Sequence, residues 1–68
     1  MIDQRIKIAR IAKSLSQQEL ADLVGVTRQT IGLIEKDKYN PTLKLCISIA
    51  RVLDKSLNEL FWNDEEDN

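Results

Sequence analysis

Apolar residues recur along this chain at helical spacing, in five runs separated by short polar breaks. From Gln4 to about Ser14, Ile6, Ala9 and Arg10 share one face, with Leu15 following as the chain leaves that helix. A second run covers residues 17–24. Ser16 and Glu19 open it as a Ser-x-x-Glu capping box, and Gly25 stands where a helix is expected to end on a left-handed residue. Thr27 is placed to cap a third helix from Arg28 to about Lys36. Pro41 stops any helical continuation through the loop "DKYNP", and Thr42 is placed to cap a fourth helix running to Leu53. That helix carries a wide apolar stripe of Leu45, Cys46, Ile49, Ala50, Val52 and Leu53. A second Ser-x-x-Glu box, Ser56 to Glu59, opens a short fifth helix holding Leu57, Leu60 and Phe61.

The expected fold is therefore all-α, a compact five-helix bundle over residues 1–63, with 64–68 read as an acidic disordered tail. The apolar ends "MI" and "FWN" would allow a short terminal β-ribbon. A chain of 68 residues lies near the lower size at which one apolar core holds a fold without staples. Its one cysteine and lack of histidine leave no intramolecular disulfide and no zinc finger, so neither metal nor cofactor is expected. Cys46 is read as a small buried helix residue rather than a redox or catalytic group, because no histidine is present to activate it. No apolar run reaches the ~20 residues of a membrane span and no signal-peptide pattern opens the chain, so no membrane association and a cytoplasmic location are expected.

Charge changes the picture only when it is divided. The net charge is −1, yet residues 1–53 carry nine Lys/Arg against five acids, a balance of +4, while residues 54–68 carry Lys55 against six acids, a balance of −5. A mildly basic body is thus hidden by an acidic end.

Residues 17–36, "QQELADLVGVTRQTIGLIEK", read as two short helices hinged at Gly25, with Leu20, Val24, Val26, Ile31 and Ile34 on the inner faces and Ala21 small enough for the helices to cross closely. With Ile31 turned inward, Ile34 and Thr27 lie within about 60° of it, and Gln29, Gly32, Leu33 and Lys36 lie more than about 90° away. Arg28 flanks the helix start. Arginine and glutamine have the paired hydrogen-bonding atoms that suit guanine and adenine edges in the major groove, Gly32 would permit close approach, and Leu33 could meet a thymine methyl.

On "LSQQELA", "VTRQTI", "IEK" and the "KYNP" loop, the chain resembles the Xre family of phage repressor and Cro-like helix-turn-helix proteins, from "RIKIAR" to "IARVLDKSLNELF". The resemblance implies a five-helix domain that binds operator DNA as a homodimer. It implies that Gln17 contacts phosphate or an outer base, that Arg28, Gln29, Gly32 and Leu33 face bases, and that Thr27, Lys36, Lys38, Tyr39 and Asn40 approach the backbone. Arg10 and Glu35 match the family's internal ion pair. Spacing agrees with that pair, since Glu35 lies about 40° from the inward direction and Arg10 follows Ile6 by one turn on the core face. A dimer surface is expected around the fifth helix, with Ile47, Leu57 and Phe61 as its candidates.

Two positions depart from the family pattern. Asp37 stands where glycine is usual after the third helix, and Ile8, Ile11 and Ala12 stand where charged residues are common. The latter either pack beneath "LFWN" or form a protein-contact patch. A sequence-specific DNA-binding regulator acting as a repressor is the leading expectation. An antitoxin-like interaction module, with DNA binding secondary or absent, is the alternative. An enzyme is not expected, since the acids lack a paired, pocketed arrangement, and no second domain remains to hold a small-molecule effector.

Overall fold

A computed structural model describes residues 4–61. Five helices follow one another: α1 Arg5–Ala12, α2 Gln17–Val24, α3 Arg28–Glu35, α4 Leu43–Leu53 and α5 Leu57–Phe61, with no strand among the described residues. The ribbon considered for the two ends falls outside these residues except at Phe61, which is the last residue of α5. The 64–68 tail and the 1–63 domain boundary also lie outside them.

The helix starts follow from their caps. Ser16 Oγ accepts from the Glu19 amide at 3.0 Å while the Ser16 amide donates to Glu19 Oε1 at 2.8 Å, and Ser56 with Glu59 repeats this at 3.1 and 2.7 Å. Thr27 Oγ1 accepts from the Thr30 amide and Thr42 Oγ1 from the Leu45 amide, both at 3.2 Å. Each such cap contributes about 1 kcal/mol to helix stability.

Four helix ends share one device, and glycine supplies it only once. Gly25 has φ 80°, and Ser14, Asp37 and Asp54 take the same left-handed conformation at φ 60°, 60° and 58°. In each case the amide after the left-handed residue donates back to a carbonyl five residues earlier: Leu15 to Arg10, Val26 to Ala21, Lys38 to Leu33 and Lys55 to Ala50, at 2.8 to 3.1 Å. Helix α1 therefore ends at Ala12, two residues before the expected Ser14, because Ser14 is already the turning residue.

Ile6, Leu20, Ile31, Ile34, Ile49, Leu53 and Leu60 form the buried centre with Ala9, Ala21 and Ala50. Leu20, Ile31, Ile49 and Leu53 are the largest side chains sealed from solvent. Truncating one to Ala removes roughly 2–5 kcal/mol. Helix α2 packs on α3 and α4, and α5 packs on α1 and α4. The α4 stripe is narrower than its sequence pattern: Ile49, Ala50 and Leu53 are buried, while Leu45, Cys46 and Val52 are half-buried at its edges. Cys46 is thus a correction to the buried position expected for it. Its Sγ lies 4.0 Å from the Pro41 carbonyl, and partial burial pushes the thiol above its ordinary pKa.

Candidate nucleic-acid interface

Helix α3 has one buried and one open face. Ile31, Ile34 and Glu35 are buried, Gly32 and Leu33 are half-buried, and Arg28, Gln29 and Lys36 are exposed. Thr27, at the helix start, uses its hydroxyl to cap the Thr30 amide and lies 3.0 Å from the Thr30 hydroxyl. Lys38, Tyr39 and Asn40 are exposed on the following loop. The side chains of Arg28, Gln29, Lys36, Lys38 and Asn40 have no hydrogen-bond or ionic partner among the described residues, so they are available to an external ligand.

Beneath this face lies a buried polar cluster. Arg10 Nε donates to Glu35 Oε2 at 2.6 Å, Arg10 Nη2 to Glu35 Oε1 at 3.3 Å, and Arg10 Nη1 to the Leu15 carbonyl at 2.8 Å. Gln17 Nε2 completes it, donating to Glu35 Oε1 at 3.0 Å. Arg10 is 8% exposed and Glu35 5%, so both lie in the buried interior as their core-facing spacing implies. A buried ion pair is tolerable only when its hydrogen bonds are satisfied, and no buried side-chain polar atom among the described residues lacks a partner. The cluster joins α1, the turn after it, the first residue of α2 and the last residue of α3, and so fixes the pitch of α3 relative to both neighbours.

Gln17 is the residue whose surroundings differ most from a simple carry-over. Its amide does not point freely into solvent but crosses from α2 to α3, where an ideal Cβ on Gly32 would sit 3.9 Å from its Nε2. Sequence spacing gave no sign of this contact, which joins residues 18 positions apart on different helices.

Leu57 and Phe61 are half-buried and pack on the core, whereas Ile47 is half-buried without joining the core cluster. Leu57 and Phe61 line a groove of about 330 Å³ with Tyr39, Asn40, Pro41 and Leu43. The exposed Leu43 and Tyr39 extend this apolar surface. The sequence carries no separate signal for Leu43, the first residue of α4, whose apolar side chain stays exposed while Ile49, Ala50 and Leu53 are buried. On α1, Ile8 and Ile11 are 64% and 56% exposed, although Ile8 shares a hollow with the buried Leu60. Burial beneath Leu60 and Phe61 does not account for them, and Trp62 and Asn63 lie outside the described residues. Among the described residues no His/Cys/Asp/Glu group is arranged to hold a metal, and no helix is long and apolar enough to cross a membrane.

The family model described as "Helix-turn-helix" matches residues 6–60. An uncharacterized HTH-type transcriptional regulator of Archaeoglobus fulgidus is 49% identical over 63 residues, covering 93% of this chain and 89% of the relative. The HTH-type transcriptional regulator YgzD of Bacillus subtilis is 39% identical over 62 residues, covering 91% and 94%. Among solved structures, the restriction-modification controller protein C.AhdI from Aeromonas hydrophila superposes with a TM-score of 0.78 at 40% identity, over 85% of this chain and 88% of that one.

Proposed function

We propose, from the premise that this chain belongs to the helix-turn-helix family of DNA-binding transcriptional regulators, that it represses transcription by occupying a pseudo-palindromic operator as a homodimer. Helix α3 enters the major groove, Arg28 and Gln29 read base edges, and Lys36, Lys38, Tyr39 and Asn40 hold the phosphate backbone. The observation that carries this reading is the exposure of Arg28 and Gln29 on the first turn of a helix whose opposite face is sealed and pinned through Glu35. Rigid presentation matters because a base contact discriminates only if its donor and acceptor are already aimed.

One domain reaches too few base pairs for useful specificity, so a second copy is required. The groove and apolar surface around Leu43, Leu57 and Phe61 support dimerisation on that side, with Ile47 beside it. A dimer places two α3 helices about 34 Å apart, one turn of DNA. Sedimentation combined with footprinting tests the proposal: a dimer protecting two half-sites is expected. A monomer at micromolar concentration that binds one half-site as tightly as two contradicts it.

The second reading, an interaction module whose main ligand is a protein, is favoured by the exposed Ile8 and Ile11. It predicts that no duplex is retained above random DNA in the same footprinting experiment.

A further inference from the structure

We infer that the hollow between α1 and α5 is a docking site for an acidic, apolar segment of a second protein, an amphipathic helix with carboxylates on its polar face. The inference does not rest on the DNA-binding reading, and it goes beyond the interaction module considered above by naming where the partner sits and what it carries. Ile8, Ala9 and Ala12 on α1 and Leu60 on α5 line an opening of about 340 Å³. Ile8 and Ile11, three residues apart on one exposed face of α1, continue this apolar surface outward. A continuous apolar patch of this kind marks a contact site. None of the residues lining the hollow belongs to α2, α3 or the loop after α3, and none lines the groove beside Leu57 and Phe61. A partner seated here leaves the outer face of α3 open.

Charge selects the occupant. Arg5 and Lys55 line the hollow, and Lys7 stands exposed beside Ile8, four residues before Ile11. Arg5 Nη1 donates to the Asn58 and Glu59 carbonyls at 3.4 and 3.3 Å, which fixes its positive charge at the rim. Glu59 is the one acid among the described residues lining the hollow, and its carboxylate already accepts from the Ser56 amide at 2.7 Å. Lys13 and Asp54 offset one another at 4.0 Å. The rim is therefore cationic around an apolar floor. A second copy docked through the same face would bring like charges together. Duplex DNA binds through its phosphates and leaves an apolar floor unfilled. A bilayer presents a flat surface, with no side chain to enter a hollow. An acidic helix meets both requirements, with apolar side chains at successive turns for Ile8, Ile11 and the hollow, and carboxylates for Lys7 and Lys55.

The test is fluorescence anisotropy of the full chain with a labelled helical peptide of about 15 residues, carrying leucine at helical spacing and glutamate elsewhere. Two control peptides replace its leucines by alanine or its glutamates by lysine. The leucine and glutamate peptide should bind, more weakly as salt rises, and neither control should. Affinity should fall roughly tenfold or more in Ile8→Asp and roughly fivefold in the Lys7→Glu, Lys55→Glu double variant. A random duplex should not displace the peptide. Thermal melts show that each variant is folded, and Ile11→Asp replaces Ile8→Asp if the latter is not. Equal binding of the alanine peptide, displacement by the duplex, or affinity unchanged in every variant overturns the inference. So does the absence of peptide binding, and three further measurements then identify what takes the hollow instead. A red shift of Trp62 emission in Ile8→Asp assigns it to residues 62–68 of the chain itself. Loss of a dimer in Ile8→Asp on sedimentation assigns it to a second copy, and Ile8-dependent binding to phosphatidylserine vesicles assigns it to a membrane surface.

Discussion

On its inner face α3 satisfies its polar groups within the protein: the Glu35 carboxylate receives Arg10 Nε and Nη2 and Gln17 Nε2, on the same buried face as Ile31 and Ile34. On its outer face Arg28, Gln29 and Lys36 meet no protein partner among the described residues and stand in solvent. The two faces belong to the eight residues of one helix and to Lys36, which caps its end. Their contrast separates two tasks that a 68-residue protein must otherwise mix. Buried, saturated hydrogen bonds set where the helix lies, and exposed, unsatisfied ones determine what it can meet. Gln17, half-buried on α2, reaches across to the inner side, where its Nε2 donates to Glu35.

The largest expected effect lies on the inner face. Arg10→Ala leaves the Glu35 carboxylate buried without its cation and should destabilise the fold by about 3–5 kcal/mol. Adding Glu35→Gln should recover part of that loss. Strictly additive losses in urea melts would show that the cluster does not act as a unit.

A smaller change divides the faces in the opposite sense. A methyl group at Gly32 would meet nothing closer than Gln17 Nε2 at 3.9 Å, an ordinary contact. Gly32→Ala should therefore raise stability by about 1 kcal/mol through helix propensity, yet weaken operator binding by crowding the DNA-facing surface. Greater stability with unchanged affinity would place the region around residue 32 away from DNA.

Asp37 offers a change in which both properties improve. Its φ of 60° strains a residue with a Cβ, so Asp37→Gly should stabilise by about 0.5–1 kcal/mol. It should also tighten binding to all duplexes by removing an anion between Lys36 and Lys38. Thermal melts and affinity for random DNA check the two halves separately.

The smallest expected effect is at α5, away from both faces. The Ser56 backbone amide, then the Ser56 hydroxyl, with a lesser contribution from Lys55, hold the Glu59 carboxyl below its ordinary pKa. A depressed carboxyl pKa in the folded state means that its contribution is full above the ordinary carboxylate range and is lost as pH falls through the lowered value. The difference in melting temperature between the natural protein and Glu59→Gln should be present at neutral pH and disappear in acid. A difference that persists in acid would assign it to something other than this cap.

Much of this organisation was legible in the sequence where one residue acts on its near neighbours. Ser16 and Glu19 announced α2, Gly25 its end, and the spacing of Ile31, Ile34 and Glu35 the inner face of α3. The end of α1 was not legible, because Ser14 takes a conformation that glycine would advertise and serine does not. Nor was the Gln17 contact, which depends on how α2 crosses α3 rather than on either helix alone. For Ile8 and Ile11 the sequence left packing and a protein-contact patch both open, because a pattern can mark an apolar face without saying whether anything covers it.

In the proposed function α3 reads DNA with its outer face while the loop after it only holds on. The direct measurement is affinity for the selected operator and for a scrambled duplex, at several salt concentrations, in Arg28→Ala, Gln29→Ala and Lys38→Ala. Arg28→Ala and Gln29→Ala should each cost about 1–3 kcal/mol on the operator and much less on scrambled DNA. Lys38→Ala should weaken both duplexes alike and lower the salt slope by about one. If Arg28→Ala and Gln29→Ala instead weaken the two duplexes equally, α3 is not the reading element and the account is contradicted.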